Sequence, residues 1–202
     1  MTPWTRLEGT PLWDAAAQQY AKNDLEYHDM SHVGRLYAHA ERFRLPYDPS
    51  LDRAILAHDV ILDLSGGNEA RSALWLRDQT GEEDRVATRL IMTTVDHDPQ
   101  HADRRLALLD LADFLDPDRS RLNTGLLRLE AERMRGDAFD EAVWEEGTVL
   151  YLGGLSRRIR DGLDQGPSGA ERRVWSRVLT GIRRVIRDIE AGPIPDLDPE
   201  PA

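Results

Sequence analysis

The chain contains no cysteine, which excludes disulfides and thiolate metal sites, so any bound metal must be held by nitrogen and oxygen. Lysine is nearly absent: the basic residues are arginine apart from Lys22, a bias we ascribe to coding preference before function. No apolar run approaches the roughly 20 residues needed to cross a bilayer. The opening Met1-Thr2-Pro3-Trp4-Thr5-Arg6 lacks the basic-then-apolar order of a signal peptide, so the expectation is a cytoplasmic protein with no membrane partner. Positive charge is scarce overall. A net charge of −11 argues against a nucleic-acid polymer as partner, because phosphate backbones select basic faces. It leaves room for a small phosphorylated substrate, since one divalent cation reverses the field in a pocket.

Also missing are β-branched runs with period-two alternation; helical spacing dominates instead. A first helix is expected over 11–22, with Leu12, Trp13, Ala16 and Tyr20 on one face. Asp29 or Ser31 caps a second, which presents Val33, Leu36, Tyr37 and Ala40 before Pro46. Asp48-Pro49-Ser50 opens a third, whose apolar run reaches Leu64. Ser65-Gly66-Gly67 is a loop, and Asn68 reads as the N-cap of a helix through Leu76. Further helices are expected near 83–97, 102–114, 119–135, 138–161 and 170–190. No linker precedes residue 165, so the expectation is one all-α domain over residues 1–191, a single helical bundle. The Pro- and Asp-rich 192–202 is expected to be a disordered tail.

Within that pattern one doublet stands out: His58-Asp59 interrupts the apolar run Ala54-Ile55-Leu56-Ala57 and Val60-Ile61-Leu62. Burying two such side chains unpaired costs on the order of several kcal/mol, and a bound cation removes that cost. His28 and His32 are four apart and share a helix face, as do Glu69 and Ser72, three apart. His97 ends Ile91-Met92-Thr93-Thr94-Val95-Asp96, and Asp110 and Asp113 sit three apart in an apolar segment. Each has a plain structural reading when taken alone. His97 can be a hydrogen-bonded core histidine, Asp113 a buried acid at a turn, and Glu69 a first-turn carboxylate favoured by the helix dipole. The order His, His-Asp, Asp, each in an apolar setting, is what argues for a joint site.

That order resembles the HD phosphohydrolase superfamily, whose members are all-helical and metal-dependent. Tyr27-His28-Asp29-Met30-Ser31-His32-Val33 is similar to the opening motif of a bacterial subgroup of HD hydrolases. His58-Asp59-Val60-Ile61-Leu62-Asp63, Asn68-Glu69-Ala70-Arg71-Ser72, Thr94-Val95-Asp96-His97 and Leu109-Asp110-Leu111-Ala112-Asp113 resemble its later motifs, in family order. The likeness spans residues 27–115, a core followed by divergent C-terminal helices over 119–190. Leu62 replaces the subgroup's aromatic residue, and Arg128-Leu129-Glu130-Ala131 lacks its tyrosine.

The resemblance implies a metal-dependent phosphohydrolase acting on a small phosphorylated metabolite, with a nucleotide the first class to consider. The implied metal ligands are His32, His58, Asp59 and a distal acid, either Asp110 or Asp113; Ala112-Asp113 matches the superfamily's common Ala-Asp and favours Asp113. Two imidazoles and two carboxylates suit Mn, Fe, Co, Ni or Zn better than Ca. Glu69 is the implied general base, with His28, His97 and Asp63 as further catalytic candidates, and Arg35 or Arg71 as a phosphate clamp. Alarmone hydrolysis ranks lower, since Leu62 stands where that group carries Glu. A non-catalytic HD-like domain that binds a nucleotide or a protein is the other class. The C-terminal helices are candidates for a homo-oligomer interface.

Overall fold

A computed structural model describes residues 4–192; the tail expected at 192–202 lies, from residue 193 on, outside the described residues. Among these residues the chain is all-α, with nine α-helices and no strand. The chain divides into two compact units, split between Ala112 and Asp113, where the sequence pattern suggested one domain.

The first unit holds α1 (Pro11–Asn23), α2 (Met30–Arg42), α3 (Pro49–Ala57), α4 (Asn68–Thr80), α5 (Arg85–Met92) and α6 (Arg105–Asp110). Most begin where the sequence supplies a side-chain acceptor. Thr10, Asp29, Asp48 and Asp84 each accept from backbone N–H groups of the first turn, satisfying donors the helix cannot pair itself. Helix α4 starts from Gly67 at φ 65°, with no side-chain cap, so Asn68 is its first residue and not its cap. The core joins Val33, Leu36 and Tyr37 of α2, Leu51, Ile55 and Leu56 of α3, Leu90 and Ile91 of α5, and Leu106 and Leu109 of α6. Each of these large side chains stabilises the fold by about 1.5–3 kcal/mol when fully buried.

The third helix is shorter than its apolar run. It ends at Ala57, because its last carbonyls are taken by side chains. The His58 imidazole lies 3.0 Å from the Ile55 carbonyl, and the Tyr20 hydroxyl donates to Leu56 O at 3.2 Å. Asn23 then donates to Val60 O at 3.1 Å, holding the turn that follows. His58 and Asp59 therefore leave the end of a helix and do not lie in its middle.

The second unit contains a short 3-10 turn (Ala112–Leu115, beginning at the boundary), α7 (Pro117–Arg135), α8 (Glu141–Leu163) and α9 (Gly169–Glu190). Leu152, Leu155, Ile159 and Leu163 of α8 and Trp175, Val178, Ile182, Val185 and Ile189 of α9 supply its core. Gly181 is needed there: a Cβ at that position would fall 1.9 Å from the Phe114 carbonyl oxygen.

Candidate metal centre

Four segments of the first unit converge. Helix α2 brings His32 and the residue ahead of its cap, His28; the end of α3 brings His58 and Asp59. Asp110 is the last residue of α6, and His97 follows α5 in the left-handed region at φ 53°. His32 and His58 are fully buried, with their Nε2 atoms 3.1 Å apart. Asp110 Oδ1 lies 3.3 Å from His32 Nε2 and 3.8 Å from His58 Nε2. Asp59 Oδ2 is 3.0 Å from His58 Nε2 and 3.7 Å from His32 Nε2. These separations test the fit of a metal. Neighbouring ligands of an octahedral ion at about 2.1 Å stand roughly 3.0 Å apart, close to the His32–His58 and His32–Asp110 separations, so these donors match in spacing as well as in chemistry. A buried His32, His58 and Asp110 group can hold a metal ion.

The surroundings favour a cation. Helices α3 and α6 both present their C-terminal, partially negative ends here. The bond between His58 Nδ1–H and the Ile55 carbonyl leaves the Nε2 lone pair facing the cluster, the usual second-layer arrangement behind a ligating histidine. Burial opposes charge on His58, yet the Asp59 and Asp110 carboxylates outweigh it and push its pKa up to about 9. Burial likewise opposes charge on Asp59, but His58 holds it down to about 2. For His32 burial prevails over Asp110 and lowers its pKa. The proton on His58 must leave before Nε2 can act as a ligand.

Two further imidazoles flank the set. His97, buried, has its Nε2 2.7 Å from Asp110 Oδ2, so Asp110 is held on one oxygen and offers the other to the cluster. His28, with its side chain 20% exposed, has its Nε2 3.7 Å from Asp59 Oδ2. Tyr27, buried, packs its ring against His28 at 4.7 Å and His32 at 4.8 Å. The Arg35 guanidinium stands 5.2 Å from the Tyr27 ring centroid, donates to Ser31 Oγ at 3.1 Å and reaches within 3.4 Å of His32 Nδ1.

Of the two distal acids weighed from the motifs, Asp110, and not the favoured Asp113, stands with His32 and His58. Asp113 falls in the second unit, buried, and its Oδ2 accepts a 2.8 Å bond from Asn123 Nδ2. Two expected catalytic groups make no hydrogen bond or ion pair with the cluster side chains among the described residues. Asp63 is exposed and ion-paired with Arg71 at 2.7 Å, which also accounts for Arg71. Glu69 is half-buried in the first turn of α4 and makes no hydrogen bond or ion pair with the described residues. The rest of that motif is structural. Ser72 Oγ accepts from Ile61 N, and Asn68 Oδ1 accepts from Asp63 N, tying the loop after Asp59 to α4. Sequence reasoning missed Tyr27 as a packing residue, although its place next to His28 offered the signal.

No family model, curated protein or solved structure matches this chain. Among the described residues no helix is long and apolar enough to cross a membrane.

Proposed function

We propose that this protein is a metal-dependent phosphohydrolase of the HD type. It cleaves a phosphate ester or anhydride in a small metabolite, with nucleotides the first class to test. The observation that carries this reading is the meeting of two buried imidazoles with Asp110 at separations that fit one ion, with Asp59 beside His58. His32, His58, Asp59 and Asp110 would hold a divalent transition ion, Mn, Fe, Co, Ni or Zn. Such an ion, when bound, supplies a Lewis acid and an acidified water.

The chain's own groups do the rest. His28, partly exposed and oriented by Asp59, can hand a proton to a leaving oxygen. Arg35 carries fixed positive charge beside the imidazoles and can hold phosphoryl oxygens. Tyr27 fixes both imidazole planes and keeps water from their inner side. A second reading, an HD-like domain that holds metal and binds a nucleotide without turning it over, is favoured by the commitment of Asp63 to its ion pair with Arg71.

Elemental analysis of the purified protein beside His58→Ala/Asp59→Ala, followed by a nucleotide panel with Mn²⁺, Co²⁺ and Ni²⁺, tests both readings. About one equivalent of metal, lost in the variant, and metal-dependent phosphate release support hydrolysis. Metal with no turnover across the panel supports the binding domain, and no metal after reconstitution ends both.

A further inference from the structure

In the second unit, helix α8 carries a face that none of the described residues covers. None of its first eleven residues, Glu141–Tyr151, is buried. Yet Val143, Leu150 and Tyr151 are large, apolar and 57%, 67% and 51% exposed. Gly147 and Gly154 lie seven residues apart, two helical turns, on the same stripe. A Cβ at Gly147 would meet nothing within 4 Å. At Gly154 a Cβ would meet only the flexible ends of Arg158 at 3.7 Å and Arg157 at 4.0 Å, so another helix can approach closely along the stripe once those ends swing aside.

Charges at its two ends say what that helix is. Glu146 flanks the N-terminal part of the stripe and Arg157 the C-terminal part; neither has an ion-pair partner among the described residues. Arg160 and Glu141, by contrast, are paired with Asp161 and Arg128. Two copies of α8 packed antiparallel, with the two-fold axis between Leu150 and Tyr151, set Gly147 opposite Gly154. They also bring Glu146 of one copy to within about 3 Å along the axis of Arg157 of the other. A parallel pair would set glutamate against glutamate and arginine against arginine. We propose that the exposed stripe Val143–Gly147–Leu150–Gly154 of α8 is the docking surface for a second copy of this chain, arranged antiparallel about a two-fold axis. The same patch then serves both copies, as a closed two-fold dimer requires.

Light scattering of the full chain on a sizing column, from low to high micromolar concentration, tests the proposal. The expected mass is twice the 22.9 kDa of one chain, returning to 22.9 kDa in Leu150→Glu with the circular dichroism unchanged. A chain that stays monomeric at every concentration overturns it, as does a dimer indifferent to both Leu150→Glu and Gly147→Leu. Orientation has its own readout, because the native chain has no cysteine. Mixing Val143→Cys and Arg158→Cys proteins with a short thiol crosslinker should give the mixed pair. Efficient crosslinking of Val143→Cys to itself, without the mixed pair, overturns the antiparallel arrangement.

Discussion

Asp110 and Asp113 are three residues apart and both buried from most solvent, yet they serve different surroundings. One faces two imidazoles, the other an asparagine amide. Local sequence cannot separate them: in the segment Leu109–Phe114 both sit among apolar residues, and the choice depends on where α6 stops. Asp110→Ala should abolish metal uptake. Asp113→Ala should leave it intact while destabilising the protein by about 1–3 kcal/mol, because the Asn123 amide loses its acceptor. Metal analysis and urea melts of the two variants check this, and metal loss in Asp113→Ala alone would reverse the assignment. His97 acts one step back, through Asp110 Oδ2. Asparagine tolerates the left-handed backbone that His97 adopts, so His97→Asn isolates the lost contact from backbone strain. Metal affinity should drop about 10–100-fold, the usual cost of removing a group that orients a ligand, as read by competition against a fluorescent chelator.

At the scale of elements, the sequence was most legible where chemistry is local. The caps Asp29 and Asp48 and the apolar faces of α2 and α9 are written in residue order, and α2 and α9 lie close to where periodicity puts them. The end of α3 was not legible. It is set by Tyr20 and Asn23, more than thirty residues away, which take carbonyl oxygens at the helix end. Asp84 shows how a local cap also acts at long range. It accepts from Val86 N and Ala87 N, from Ser50 Oγ at 3.1 Å and from Arg53 at 3.0 Å, and so joins α5 to α3. Partial burial opposes its charge, but the Ala87 amide, Ser50 and Arg53 together hold its pKa below the ordinary carboxylate value. The unfolded chain, with a pKa near 3.9, then binds the proton more readily. The stabilisation is complete above about pH 4 and is lost as pH falls through the folded value. Asp84→Ala should cost about 1–2 kcal/mol at pH 7 and show a shallower loss of stability below pH 4 than the native chain, measured by urea unfolding across pH. Equal slopes would mean that Asp84 is not among the titrating groups. Gly181→Ala should cost at least 1–3 kcal/mol, since its methyl group would collide with the Phe114 carbonyl, and backbone there yields less readily than a side chain.

At the scale of the whole molecule, the division at Ala112 and Asp113 was invisible in composition. No glycine or proline marks it; the boundary falls inside Leu111-Ala112-Asp113-Phe114, a continuous-looking stretch decided by which helices pack on which. The motif likeness ran one residue past this boundary to favour Asp113 over Asp110, and Asp110 is the acid that stands with the imidazoles. All six side chains of the cluster, His28, His32, His58, Asp59, His97 and Asp110, belong to the first unit. A ligand that binds only the folded form stabilises the elements that hold it, so metal should protect the first unit selectively. Hydrogen exchange of the full chain, with and without Mn²⁺, should show slowed exchange in α2, α3 and α6 and unchanged exchange in α8 and α9. Protection spreading equally into α8 and α9 would mean that the two units open as one cooperative body, and the metal centre would then report on the stability of the entire chain.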